Sequence, residues 1–187
     1  MIRLSIEGDM YAFEELVGKY HQKIYSLSYR YMGNEEDAND MAQEALIKAY
    51  RSMAGFKGDS AFSTWLYRIT ANVCLDELRR RKRTLHILSL DEPVATGDGD
   101  EIERELPDRS PTADMVYEQK EFEEQIETLI GLMKPEHKSV IVLRDLMDFT
   151  YEEIAEILQC SVGTVKSRLS RGREILRKKL SERELLP

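Results

Sequence analysis

The sequence predicts an all-α fold made of two small helical domains joined by a flexible acidic linker, with a helix-turn-helix in the second domain. Two observations carry this. Apolar residues recur at spacings of three and four through both halves of the chain, without the period-two alternation of strands. Between the halves, Pro93, Gly97, Gly99, Pro107 and Pro111 gather in a stretch with little apolar periodicity.

The first helix is expected from Asp9, a suitable N-cap, with Phe13, Leu16, Val17, Tyr20, Ile24, Leu27 and Tyr31 on one side, until Gly33 stops the pattern. Asn34 with Asp37 three residues later resembles a capping arrangement for a second helix. Its apolar stripe is Met41, Ala42, Ala45, Leu46, Ala49, Tyr50 and Met53. A third helix starts near residues 60–63 and buries Phe62, Trp65, Leu66, Ile69 and Val73. In the second half, helices are expected over about 112–133, over 135–147 after Pro135, over 151–158 with Thr150 and Glu153 as a capping box, and from Val162 to about 180. The domains are therefore 1–83 and 112–187, with 84–111 as a tether that leaves them free to move independently.

At 187 residues, 42% hydrophobic and 33% charged, the composition is that of a soluble globular protein. No apolar run approaches the ~20 residues that span a bilayer. The opening MIRLSIEGDMYAF lacks the basic-then-apolar build of a secretory signal. A cytoplasmic location without membrane insertion is expected. Cys74 and Cys160 are too few and too far apart for a disulfide framework or a zinc site, so both read as small core residues.

Charge is distributed unevenly. Residues 79–83, RRRKR, are five consecutive cations; residues 91–110 carry eight acids against two arginines; residues 161–187 carry eight bases against three acids. A chain of net charge −8 thus ends on a cationic stripe, which implies a negatively charged partner.

That stripe lies on the last helix. A short helix containing Ala155, a tight connection at Gln159 and Cys160, and Ser161 as cap for a longer basic helix have the layout of a helix-turn-helix. Val162, Val165, Leu169 and Leu176 form its apolar side. Lys166, Ser167, Ser170 and Arg171 then point together from the opposite side. Lys and Arg can donate to guanine O6 and N7, and Ser can serve several bases. Thr164, Arg168 and Arg173 are expected at the phosphates beside that face. Gln159 stands where such turns commonly have Gly, so a left-handed conformation there costs about 1 kcal/mol.

The segment YEEIAEILQCSVGTVKSRLSRGREILRKKL, residues 151–180, resembles the promoter-reading region 4 of sigma-70 family transcription initiation factors of the extracytoplasmic-function class. DMAQEALIKAYRSMAGFKGDSAFSTWLYRITANVCLDELRRRKR, residues 40–83, resembles region 2 of the same class. The resemblance implies that the last helix reads the −35 element. It implies that Arg68, Asn72, Arg79 and Arg83, one stripe of the third helix, handle the melting −10 element together with the loop GFKGDSAF, Asn72 matching a base-reading position. Trp65 and Phe62 are read as core rather than as stacking platforms for bases.

The same resemblance implies that Asp40, Gln43, Glu44 and Lys48 dock on the β′ clamp helices of core RNA polymerase and that region 4 meets the β flap. An anti-sigma factor, membrane-bound or not, is a further implied partner, and an envelope or stress response the implied setting. No catalytic residue, cofactor or metal is expected. Two other readings exist: an autonomous dimeric helix-turn-helix regulator, and a metal-dependent hydrolase built on Asp37, Asp40 and Glu44, which share one helical face without a histidine at ligand spacing.

Overall fold

A computed structural model describes residues 1–88 and 125–182, and all regular structure among them is helical. The first half consists of α1 (Ile2–Ile6), α2 (Met10–Gly18), α3 (His21–Met32), α4 (Glu35–Ser52), a 3-10 turn (Met53–Gly55) and α5 (Phe62–Leu88). Asp9 caps α2 as expected, its carboxylate accepting from the Ala12 amide at 3.0 Å. Gly33 closes α3 in the left-handed region at φ 82°, and the Asn34 side chain accepts from the Asp37 amide at 2.9 Å to start α4.

Three boundaries differ from expectation. The single helix predicted from Asp9 to Gly33 is two helices, α2 and α3, broken at Lys19 and Tyr20. Tyr20 turns its ring into the aromatic cluster, 5.7 Å from Phe62 and 6.5 Å from Tyr67. Tertiary packing thus redirects the chain where periodicity alone runs straight through. The short helix α1 was not anticipated. Helix α5 continues to Leu88, so residues 84–88 extend it and do not begin the tether.

Alanines explain how tightly this half packs. Ala38, Ala45 and Ala49 of α4 and Ala71 of α5 are wholly buried, letting the helices approach closely around Ile24, Leu27, Tyr31 and Leu66. Arg81 of α5 ties the bundle's edge together. Its guanidinium meets the Asp37 carboxylate at 2.5 and 2.7 Å and Glu77 at 2.7 Å. The Arg81 hydrogen bonds, followed by that from Asn34, hold the Asp37 carboxyl down at about 2.

The second half comprises α6 (125–131), α7 (Pro135–Ile141), a π turn (Val142–Leu146), α8 (Tyr151–Ile157) and α9 (Val162–Glu182). The part of the predicted 112–133 helix before residue 125 lies outside the described residues, as does the tether beyond Leu88. The helix predicted over 135–147 changes pitch at Val142, which keeps Val140, Ile141, Val142 and Leu143 all buried in succession. The Thr150–Glu153 capping box forms in both directions. Gly172 sits where α9 crosses α7. A Cβ there would lie 3.2 Å from Ile141 Cγ1, so the absence of a side chain sets the approach.

The two halves are in contact in this arrangement. Helix α5 packs on α3 and α4 on one side and on α7 and α8 on the other, and buried residues of both halves form one continuous cluster. Across the seam, Tyr67 and Phe149 meet edge-on with ring centroids 5.1 Å apart, and Arg30 pairs with Glu127. Lys138 of α7 is 4% exposed beside Cys74 of α5. Burial pushes the Lys138 ammonium down to about 8 and the Cys74 thiol up to about 12. Helical periodicity reports that a face is buried, not against what, which is why the sequence does not display the seam.

Gln159 sits in the left-handed region at φ 50°. Gln159→Gly should therefore stabilise the chain by about 1 kcal/mol, read as a higher thermal midpoint. For Asp37, the folded pKa lies below the unfolded value, so its contribution is complete above the ordinary carboxylate range and lost as pH falls through about 2. Asp37→Asn should lower stability at neutral pH by about 1 kcal/mol after solvent screening, and denaturant titrations should show that difference shrinking toward pH 2.

Candidate nucleic-acid interface

Helix α9 begins at a local signal. Ser161 Oγ accepts from the Thr164 amide at 3.0 Å and shares a 2.9 Å hydrogen bond with the Thr164 hydroxyl. Val165, Leu169, Gly172 and Leu180 then form the buried line, which fixes the helix rotation. Lys166, Ser167, Ser170 and Arg171 consequently all stand in solvent on the far side, as expected.

The residues assigned to phosphates are less free. Thr164 and Arg168 are half-buried, and the Arg168 carbonyl lies 3.3 Å from His137 Nδ1, tying α9 to α7. Arg173 is held bidentate by Asp145, with Nε 3.1 Å from Oδ2. Lys166 also has a local partner: its Nζ lies 5.6 Å from the centre of the Tyr151 ring, and Arg144 lies 5.2 Å from the same centre. Between Tyr151 and α9 runs a cationic cleft bordered by Lys166, Arg173 and Arg177. Arg177 was not singled out in the sequence, although its four-residue spacing from Arg173 was the available signal.

On α5, Asn72, Arg79 and Arg83 stand exposed along one stripe, whereas Arg68 is half-buried. Arg79 makes an exposed ion pair with Asp76 at 3.0 Å. Of the RRRKR run, Arg80 is occupied by Glu77 at 2.7 Å and Arg81 by Glu77 and Asp37, leaving Lys82 and Arg83 as the exposed cations at its end. Part of that run therefore braces the fold.

The loop after the 3-10 turn, residues 55–60, passes through Gly58 at φ 78° and walls a cleft of about 170 Å³ with Trp65, Arg68 and, from α8, Glu156. Lys57, within the loop GFKGDSAF already singled out, and Glu156, which the sequence did not flag, also line the cleft; Glu156 reaches it only through tertiary packing. Phe56, Phe62 and Trp65 are all at least nine-tenths buried, with centroids 5.2 to 5.8 Å apart. The aromatics are core, in agreement with their apolar spacing.

Asp40, Gln43, Glu44 and Lys48 lie exposed on α4, with Glu44 and Lys48 in an i,i+4 pair at 2.8 Å. Asp37, the third carboxylate of the possible hydrolase, is engaged by Arg81. No group of His, Cys, Asp and Glu suited to a metal ion occurs among the described residues. No helix among them is long and apolar enough to cross a membrane.

Comparison with known proteins bears on both halves. Residues 16–84 match the family model for Sigma-70 region 2, and residues 123–176 match that for Sigma-70, region 4. The chain is 38% identical over 176 residues to the ECF RNA polymerase sigma factor SigW of Bacillus subtilis, spanning 94% of this chain and 92% of that one. It is 39% identical over 176 residues to the RNA polymerase sigma-H factor of Pseudomonas aeruginosa, spanning 92% and 88%. With the ECF RNA polymerase sigma-E factor of Escherichia coli it shares 37% over 181 residues, spanning 93% and 89%.

Among solved structures, CnrH in complex with the cytosolic domain of CnrY superposes with a TM-score of 0.63 at 20% identity, over 97% of this chain and 95% of that one. The sigma factor RpoE bound to the anti-sigma factor NepR from Bartonella quintana gives 0.63 at 21%, over 91% and 97%. These two likenesses concern the fold. Because both sigma-70 regions occur in order and the curated relatives align almost end to end, this chain belongs to the extracytoplasmic-function (ECF) RNA polymerase sigma factors, transcription initiation factors without catalysis of their own, and the stand-alone regulator and the hydrolase fall away.

Proposed function

We propose that this sigma factor brings core RNA polymerase to promoters of an envelope or stress response by reading two elements with the two halves of the chain. The observation that carries the −35 assignment is the exposed face of α9, four polar or cationic side chains opposite a buried line and behind a formed N-cap. Lys166, Ser167, Ser170 and Arg171 meet base edges in the major groove, and Thr164, Arg168 and Arg173 meet phosphates. Arg173 must leave Asp145 to do so, and a phosphate supplies the same bidentate acceptor.

On α5, Arg68, Asn72, Arg79 and Arg83 handle the −10 element, the cations on the backbone and the Asn72 amide on a base. The exposed face of α4, Asp40, Gln43, Glu44 and Lys48, docks on the β′ clamp helices, and the second half meets the β flap. The fold it shares with CnrH and RpoE, each solved with a bound partner, supports an anti-sigma factor as a further partner.

Arg171→Ala should cost about 1 to 3 kcal/mol of promoter affinity and relax preference mainly at one position of the −35 element. Arg173→Ala should weaken all duplex sequences nearly equally and reduce the log-affinity against log-salt slope by about 1. Holoenzyme titrations over single-base variants at several salt concentrations check both. Identical profiles for the two mutants and wild type would remove the assignment. Asn72→Ala, an exposed polar truncation, should leave the fold and polymerase binding intact yet impair strand opening. Unchanged permanganate reactivity of the −10 region in the mutant holoenzyme would withdraw Asn72 as the reader.

A further inference from the structure

We propose that Tyr151 is a positioning residue for −35 recognition: its ring, backed by Arg144 of the π turn, is the platform that aims the Lys166 ammonium at a base. This rests on the reading that α9 enters the major groove with Lys166 among its base-reading side chains.

A lysine needs support to read one base. Its ammonium ends a flexible four-carbon stem, and ordering that stem costs rotamer entropy at the moment of binding. Lys166 is exposed and makes no hydrogen bond or ion pair among the described residues. Its polar contact there is with the Tyr151 ring, whose centre lies 5.6 Å from Nζ. The attraction of an ammonium to an aromatic face restricts the stem before DNA arrives.

The ring is itself held. Tyr151 is half-buried as the first residue of α8, whose start is fixed by the capping box. There the Glu153 carboxylate accepts from the Thr150 amide at 2.8 Å and from its hydroxyl at 2.9 Å. Arg144 lies 5.2 Å from the ring centre, and its Nη1 donates to the Phe149 carbonyl at 2.8 Å. The guanidinium against the ring is thereby anchored to the loop that leads into α8.

The π turn supplies two supports of α9 in succession. It buries Val142 and Leu143 and leaves Arg144 and Asp145 to reach outward, Arg144 to the Tyr151 ring and Asp145 to Arg173. One irregular turn thus sets both a base-reading and a phosphate-facing cation, through Tyr151 in the first case and directly in the second. Such turns are rare and are frequently found at functional sites. Tyr151, Lys166 and Arg173 line the same cleft, of about 470 Å³.

The test uses the full-length chain, free and in holoenzyme. In the free chain, NMR should find the Lys166 side-chain protons shifted upfield by the ring, and Tyr151→Leu should abolish the shift. Holoenzyme titrations over duplex promoters with single-base −35 changes then read the function. Tyr151→Leu should relax preference by about two- to fivefold, the worth of one exposed cation–π contact, at the same position that Lys166→Met relaxes. Other positions and the log-affinity against log-salt slope should stay unchanged, because no phosphate contact is lost. Tyr151→Phe, which keeps the ring face, should rescue the wild-type profile. In the Lys166→Met background, Tyr151→Leu should add nothing.

Circular dichroism melting confirms that each variant is folded. Should Tyr151→Leu not fold, Arg144→Met, expected to relax the same position, decides together with the wild-type spectrum. Unshifted Lys166 protons in the wild-type chain overturn the platform. If Lys166→Met relaxes one position while Tyr151→Leu relaxes none, or weakens every sequence alike, Lys166 stands as a reader and the platform is refuted. If Lys166→Met changes no preference, Lys166 itself is withdrawn as a base reader, and the positioning role of Tyr151 goes with it.

Discussion

Burial of α5 on two sides is the constraint around which the rest of this structure is arranged. Helices α3 and α4 cover one side and α7 and α8 another. What remains in solvent is a narrow stripe, and any function exercised by α5 must lie there. Asn72, Arg79 and Arg83 occupy it, while Arg68 marks the margin where the second half begins to cover the helix. The same double burial explains the content of the helix interior. Leu66, Thr70, Ala71 and Cys74 are wholly inaccessible, and Thr70 satisfies its hydroxyl by donating to the Leu66 carbonyl at 3.0 Å.

Charge in this molecule is organised before any partner arrives. Asp145 holds Arg173, Asp76 holds Arg79, Glu77 holds Arg80, and Asp37 with Glu77 holds Arg81. Such pairs contribute little stability where they are exposed, but they aim side chains and reduce the free positive potential. Lys166, Arg171 and Arg83 remain exposed on an acidic chain, which suits a subunit that gains useful affinity for DNA only when polymerase aligns both halves.

Much of the local structure was legible because its causes are local. The caps at Asp9, Asn34, Thr150 and Ser161 depend on one side chain and an amide three residues away, and all four form. The outward face of α9 follows from the apolar line at Val165 and Leu169, which a 3.6-residue period displays directly. The left-handed turn at Gln159 was likewise foreseeable from its place between two periodic segments. The break at Tyr20 was not, since α2 and α3 share one apolar phase and only the ring's place against Phe62 and Tyr67 decides it.

By itself, then, the sequence determined the helical fold class, the caps, the rotation of each helix and the family, because each of these is recorded in residues a few positions apart or in long runs of matching ones. Only the tertiary structure decided that the halves share a core, that Asp145 rather than solvent faces Arg173, that Arg81 braces α4 and that Glu156 stands beside Arg68. Those contacts join residues 28 to 88 positions apart, and neither end carries a mark of the other. An amphipathic period states how much of a helix must leave water; which surface covers it is settled by the free energy of the whole packed chain.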